Sequence, residues 1–448
     1  MMTADVLVIG GSAGGILTAT TAKKVYPEKK VVLVRKSKTV MVPCGIPYIF
    51  GTLKEAAKNR IPDAMLANAG VELVVDEVVK IDKEKKTAFL SGGEAISYEK
   101  LILATGSLPI IPRFIGGCDL ENVFAVFKEE EYLTNLLNKL ENMNDVVVIG
   151  GGFIGVEFAE QLSMAGKKVT LVEAAQHCLW QAFDDNISSI VEQEMEEHGI
   201  AVRTCEKVKK LAGNGVVEAV ELESGEKIKA DAVILSIGVK ANSVLAAEMG
   251  IKTNESGAVL VDEYMRTSEN DVFAVGDCAE KRCFFTNKNV PILLASTAAM
   301  EAKVAATNLY GLKYVRENRG TISAFSTKVF SKTVAAAGIT ERRAMEETFE
   351  IVAGKFSTMD KHPGSLPGTN KLDVTLLFAK TSGVLVGAQI CGGECAGEMI
   401  NILSLAVQKG ITANELNTFQ VATHPLLTSS PIAYPINAAS LDALVKMK

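Results

Sequence analysis

The feature that most restricts the fold of this chain occurs twice: an apolar strand, a glycine-rich turn and a helix of small residues. The first copy runs from Val6-Leu7-Val8-Ile9 through Gly10-Gly11-Ser12-Ala13-Gly14-Gly15 into a helix from Ile16 to Lys24. The second runs from a strand at Asp145 to Ile149 through Gly150-Gly151-Gly152-Phe153-Ile154-Gly155 into a helix from Val156 to Ala165. Each turn puts unpaired backbone N–H groups and the positive end of a helix dipole at one point, which suits a pyrophosphate. The second copy fills every glycine position of G-x-G-x-x-G, whereas Ser12 holds the middle one in the first. Two such units in one 448-residue chain imply two bound dinucleotides.

The strand that follows each unit separates the two sites. Lys168 to Val172 ends at Glu173, which is placed to accept hydrogen bonds from a ribose 2′-OH and to repel a 2′-phosphate, favouring NADH over NADPH. The first unit lacks this acid: Val31 to Val34 ends in Arg35-Lys36. Those two cations either touch the adenosine half or a phosphate, or stand as solvated charges. Lys23 and Lys24, on the first helix, read from the residues alone as a solvated face.

Length and composition place these units in a larger α/β chain. About three domains are expected from 448 residues, and 48% hydrophobic with 6% aromatic content suits small-residue α/β packing. A net charge of -6 gives no reason to expect nucleic acid or an anionic membrane as partner. No basic leader precedes the strand at Val6 and no apolar run reaches bilayer length, so a soluble, cytoplasmic protein without a membrane span is expected. Eight dispersed cysteines do not form a secreted disulfide framework, and neither Cys278/Cys283 nor Cys391/Cys395 has the neighbours a metal site needs, so no metal is expected.

Further segments occur in a telling order. Tyr98-Glu99-Lys100-Leu101-Ile102-Leu103-Ala104-Thr105-Gly106-Ser107 precedes the second unit; Ser236-Ile237-Gly238-Val239-Lys240-Ala241-Asn242 and Val272-Phe273-Ala274-Val275-Gly276-Asp277 follow it. With the two glycine loops, they make the chain resemble the pyridine nucleotide-disulfide oxidoreductases over essentially its whole length. The resemblance implies two Rossmann-like domains, for FAD and NAD, plus a C-terminal α+β dimerisation domain. The FAD domain would span 1–112 and 245–318, the NAD domain 113–244 and the dimerisation domain 319–448. FAD would then be held by Gly10, Ser12, Ala13, Gly14, Gly15, Arg35, Lys36, Val78, Ala104, Thr105, Gly106, Gly276, Asp277, Ala295 and Thr297, with Asp277 on the ribityl chain. NADH would be held by Gly150, Gly152, Phe153, Ile154, Gly155, Glu173 and Gly238.

The residue that bears on chemistry is Cys44, in Val42-Pro43-Cys44-Gly45-Ile46-Pro47-Tyr48. Two-cysteine disulfide reductases carry a partner five positions on, where this chain has Ile49. The single cysteine resembles the group of NADH oxidase, NADH peroxidase, coenzyme A-disulfide reductase and NAD(P)H sulfur or persulfide reductase. Pro47 pre-sets a helical dihedral, so the thiol is expected at or just before a helix N-terminus, where the dipole favours thiolate. The bland alternative for Cys44 is a buried structural thiol.

The resemblance also assigns Glu157 a place beside nicotinamide and flavin, and Phe153 that of an aromatic that moves when nicotinamide binds; capping and core packing are their bland alternatives. Ala422-Thr423-His424-Pro425 resembles the segment that sends a histidine into the partner subunit's site, making His424 a candidate acid or base in a homodimer. Its usual orienting glutamate is replaced by Ser429-Ser430. His362-Pro363-Gly364 resembles a family loop whose tyrosine is missing, and Tyr434 is a candidate to supply that hydroxyl. Val40-Met41-Val42-Pro43 replaces the polar residues found before the cysteine of coenzyme A-disulfide reductases, so a coenzyme A site is compatible with the chain but not required.

The expected activity is NADH-dependent reduction of a small sulfur acceptor through FAD and Cys44. Two alternatives stand beside it: an NADH oxidase or peroxidase using a Cys44 sulfenic acid, and a flavin electron-transfer reductase or redox sensor serving a protein partner.

Overall fold

The computed structural model describes residues 2–448. The chain forms two compact units, one holding the residues up to Phe114 with Val123–Asn144 and Leu235–Thr321, the other Ile115–Asn122, Asp145–Ile234 and Ile322–Lys448.

The first unit is built on a seven-stranded sheet. Met2–Ile9 lies between Val31–Arg35 and Ala95–Leu103, parallel to both, with Ile9 paired to Val34 and Leu103. Strands covered on both faces carry unbroken apolar runs rather than alternation. Accordingly Val6, Leu7 and Val8, with Val31 to Val34, are at most 1% exposed. Helix Ala13–Val25 follows the first strand and packs on helix Ala295–Thr307 through small residues. A β-carbon on Gly14 would already lie 3.7 Å from Ala298 Cβ, so the starts of the two helices sit side by side.

Two sheets of the second unit matter here, beside a small antiparallel one of Val208–Ala212, Ala219–Leu222 and Lys227–Lys229. Asp145–Ile149, Lys168–Val172 and Ala201–Arg203 pair in parallel, with Val172 opposite Ile149. The other is a five-stranded antiparallel sheet in the order Phe325–Val329, Lys332–Gly338, Leu385–Gly392, Lys371–Ala379, Ile351–Met359. Helices Cys395–Lys409 and Pro435–Lys446 pack on that sheet. The apolar stretch from Ile322 to Ala337 is a hairpin with Phe325 opposite Ala336. It turns at Phe330, whose φ of 47° is left-handed; Glu160 Oε1 accepts the Phe330 N–H at 2.5 Å and the His198 ring stacks on the phenyl at 3.8 Å. Thus the helix of the second glycine loop, Phe153–Met164, is tied to the C-terminal sheet within one unit.

Candidate active site

Four segments of the first unit converge on the first glycine loop. Gly10 has a φ of 115°, and a β-carbon there would collide with the Ala104 carbonyl; one on Gly15 would collide with the Gly10 carbonyl. Only glycine lets strand, turn and helix approach this closely. Ser12 caps the helix without a side-chain hydrogen bond, and its first turn carries no acid, so no side chain of its own competes for an anion there. Ala104 N–H donates to the Ile9 carbonyl at 2.8 Å and Val275 N–H to the Leu103 carbonyl at 2.9 Å, bringing Ala104-Thr105-Gly106 and Gly276-Asp277 to the same edge. Ala295 and Thr297 open the second helix there, and Val78 starts a strand with 7% exposure.

The two residues of the basic pair after the second strand behave differently. Arg35 is buried: its guanidinium donates to Asp63 Oδ1 at 2.5 Å and Oδ2 at 2.8 Å, to the Ser37 carbonyl and to the Lys38 carbonyl. Its stem lies under Gly11, whose β-carbon would come within 2.6 Å of Arg35 Cδ, so Arg35 props the glycine loop from below. Lys36 is exposed and paired with Glu77. Lys23 donates to the Pro27 and Lys29 carbonyls just past the end of its own helix.

Cys44 is an exposed thiol in this same unit. The expected helix N-terminus is absent: Pro43–Gly45 and Pro47–Ile49 are single 3-10 turns of three residues each. Two prolines remove amide donors and the turns are too short to sum a dipole, so the helix argument for a thiolate lapses. The thiol is instead placed by a staple. Asn59, 5% exposed, donates through Nδ2 to the Val42 carbonyl at 2.9 Å while its own carbonyl accepts from Val42 N–H at 2.8 Å. A β-carbon on Gly45 would lie 2.9 Å from Asn59 Cγ, so the turn bearing Cys44 rests directly on that amide.

In the second unit Gly152 caps helix Phe153–Met164, again without a side-chain hydrogen bond, and space beyond Gly152 is open for 4 Å. Glu173 closes the loop from the next strand: Oε2 accepts from Gly151 N–H at 2.5 Å and Oε1 from Ala175 N–H at 2.6 Å. Phe153 stacks on Phe325 at 5.2 Å and meets Phe183 edge-on, while Ile154 is 37% exposed. Glu157 takes a hydrogen bond from Thr327 Oγ1 at 2.8 Å; burial, reinforced by Glu160 and opposed by Thr327, pushes its carboxyl up to about 7. Gly238 belongs to the first unit, where its φ is 109° and its carbonyl accepts from Ile110 N–H.

His424 is exposed and its Nδ1 accepts from Leu426 N–H at 3.3 Å, which leaves the proton of the neutral ring on Nε2. Thr428 supports it, accepting from His424 N–H, while the Thr428 carbonyl takes His362 Nδ1–H. Tyr434 is buried, with its phenol pushed up by burial and packed edge-on to Phe419.

Comparison with known proteins assigns this architecture. The pyridine nucleotide-disulphide oxidoreductase profile matches residues 4–306, and the dimerisation domain of the same family matches 324–432. The chain belongs to this family. The oxidoreductase is 30% identical over 451 residues to an NADH oxidase of Methanocaldococcus jannaschii, covering 98% of this chain and 99% of that one. It is 31% identical to an NAD(P)H coenzyme A polysulfide/persulfide reductase of Pyrococcus horikoshii, covering 88% of each chain. The structure of an NAD-dependent persulfide reductase from A. fulgidus superposes with a TM-score of 0.90 at 30% identity, covering 99% of this chain and 83% of that one.

The family implies FAD and NAD(P)H, and the oxidoreductase is an NAD(P)H-dependent flavoprotein enzyme. Its residues fit a flavin dinucleotide: the Gly10/Ala104 and Gly15/Gly10 approaches, which only glycine permits, bring strand, turn and helix start into one cradle. Sequence reasoning missed several supports of that cradle. Asp277 accepts from Ser107 Oγ at 2.7 Å, and Lys128 Nζ lies 3.6 Å from the Asp277 carboxylate while donating to Ser107. Thr105 Oγ1 donates to the Asn242 carbonyl and Asn242 Nδ2 back to the Thr105 carbonyl, fastening the two chain crossings. Lys128, Asp63 and Asn59 carry no local pattern that would have marked them. Among the described residues no group of His, Cys, Asp and Glu could hold a metal, and no helix is long and apolar enough to cross a membrane.

Proposed function

We propose that this oxidoreductase passes hydride from NADH, through flavin and Cys44, to a small sulfur acceptor: a low-molecular-weight disulfide, persulfide or polysulfide. The observation that carries the reading is the exposed Cys44 thiol, held on a stapled turn in the unit of the flavin loop, with buried Ile49 rather than a cysteine five residues on. A lone, accessible thiol favours a reaction in which the second sulfur comes from the substrate. The Cys44 thiolate attacks one acceptor sulfur, a mixed disulfide forms, and the other sulfur leaves as a thiolate that takes up a proton. FAD, when bound, supplies the two electrons from NADH that cleave the mixed disulfide, returning Cys44 to the thiolate and releasing the attached acceptor sulfur as a second thiol. Names of relatives add weight, because the P. horikoshii and A. fulgidus proteins are a polysulfide/persulfide and a persulfide reductase. The coenzyme A in the former's name puts coenzyme A disulfide among the acceptors to try.

The chain's own groups suit these steps. Glu157, with its carboxyl pushed up to about 7, can hold or release a proton at neutral pH. Glu173 favours NADH, since a 2′-phosphate would be placed against its carboxylate. A homodimer is supported by the matched dimerisation segment and by the exposure of Leu426, Leu427 and Ile432, the last at 96%; His424, in the same stretch, would serve the partner's thiol. The second reading, an NADH oxidase or peroxidase with a Cys44 sulfenic acid, is favoured by the M. jannaschii relative's name.

Anaerobic NADH turnover of wild type and Cys44→Ser, with coenzyme A disulfide, polysulfide, peroxide and oxygen offered separately, tests both. Loss of turnover with sulfur acceptors in the mutant supports the proposal. Equal rates of the two proteins on every sulfur acceptor would sink it, and loss confined to peroxide or oxygen would promote the second reading.

A further inference from the structure

Behind the flavin cradle lies an ion pair almost excluded from water. Lys281 Nζ is 3.0 Å from Glu301 Oε1, and their side chains are 2% and 3% exposed. The desolvation cost of such a pair is large and is offset only when the remaining hydrogen-bonding capacity is filled. Here it is filled, and by one short piece of backbone. Lys281 donates its other two protons to the Gly276 carbonyl at 2.7 Å and the Ala279 carbonyl at 2.8 Å, while Glu301 Oε2 accepts from Gly276 N–H at 2.8 Å. Both polar groups of Gly276, which sits at a φ of 73°, are therefore gripped by opposite charges. Gly276 opens the 3-10 turn Gly276–Cys278, and the next residue is Asp277.

We infer that the Lys281–Glu301 pair is a positioning device that fixes the Gly276–Cys278 turn and so sets how tightly flavin is held. A buried ion pair is a weak source of net stability compared with well-packed apolar side chains, so its value lies in orientation. They act through Gly276 on Asp277, whose carboxylate is braced by Ser107 and Lys128. Removing either partner strands the other. Without Lys281, Glu301 stays where burial already pushes its carboxyl up, takes a proton and becomes a weaker acceptor for Gly276 N–H. Without the Glu301 charge, the Lys281 ammonium loses the anion it is paired with. In a Lys281→Met/Glu301→Gln double variant no charge is stranded, and the amide oxygen can still accept from Gly276 N–H.

The inference rests on the flavin reading of this cradle, and one experiment separates the two. Purified flavin-loaded wild type, Lys281→Met, Glu301→Gln and the double variant are diluted into buffer, and flavin release is followed by its fluorescence, with thermal unfolding measured in parallel. Wild type that carries no flavin would defeat the reading itself. Release at least about tenfold faster in each single variant, with the double variant slower than either, is the expected result. Single variants that release at the wild-type rate while only their unfolding temperature drops would overturn the inference, as would a double variant whose effect is the product of the two singles. Should the singles fail to fold, the double decides: flavin release within about threefold of wild type supports the inference, and failure to load flavin overturns it.

Discussion

Replacing Glu157 by Gln should stabilise the protein at pH 8 and change it little at pH 4.5. Burial on the glycine-loop helix pushes this carboxyl from 4.5 up to about 7, with Glu160 adding to the rise and Thr327 opposing it. Between those values the folded protein holds a proton that the unfolded chain has released. Folding stability then falls as pH rises through this window and levels off above it. A shift from 4.5 to about 7 is worth about 1.4 kcal/mol per unit, or about 3 kcal/mol of stability lost by pH 8. The substituted amide keeps the shape of the carboxyl and can still accept from Thr327 Oγ1, but it does not titrate. Denaturant unfolding of both proteins, equally loaded with flavin, at steps from pH 4.5 to 8 isolates the term as a difference. That difference should grow by about 3 kcal/mol in favour of the variant across the range. A difference that stays flat with pH, or that grows in favour of wild type, would refute the reasoning.

Other substitutions follow from the same geometry. Asn59→Ala removes the bond to the Val42 carbonyl and should lower stability by about 1–2 kcal/mol while changing the alkylation rate of Cys44 by at least about threefold, read by iodoacetamide kinetics. Gly45→Ala drives a β-carbon onto Asn59 and should reproduce that alkylation change; if combining the two variants gives additive effects, the staple is not one device. Asp63→Ala strands the Arg35 guanidinium under Gly11 and should cost about 1–2 kcal/mol in denaturant unfolding, discounted for Asp63's solvent exposure. Arg35 holds the Asp63 carboxyl below its ordinary value, so this contribution is present above the usual carboxylate range and disappears as pH falls through the lowered value. Glu173→Ala should shift the ratio of NADH to NADPH efficiency by about tenfold towards NADPH, as seen in kcat/KM; an unchanged ratio would remove Glu173 from coenzyme choice.

Much of the framework was legible because it is written in short-range patterns. Val6–Ile9 and Asp145–Ile149 are apolar runs of strand length, and the glycines that follow them are required by contacts such as that of Gly10 with Ala104. The Phe330 turn that splits Ile322 to Ala337 could not be read the same way, since Glu160, on the helix of the second glycine loop, and His198, just past helix Asp185–Glu197, support it from far away in sequence. Around Cys44 the prolines suggested a helix start; in the fold they stand in separate 3-10 turns, because the strand-like pairing with Asn59 takes the backbone elsewhere.

Local sequence alone thus determined the two dinucleotide units, the acid after the second, and the solitary thiol between them. Periodicity and glycine spacing act within one strand, turn and helix, where neighbours in sequence are neighbours in space. Tertiary structure alone decided that Arg35 is a buried prop bound to Asp63, that Asn59 seats Cys44, and that Lys281 and Glu301 grip Gly276 from behind. Each of these depends on burial, which turns an ordinary surface charge or amide into a group that must find its partner, and the partner is chosen by packing between segments that the sequence keeps apart.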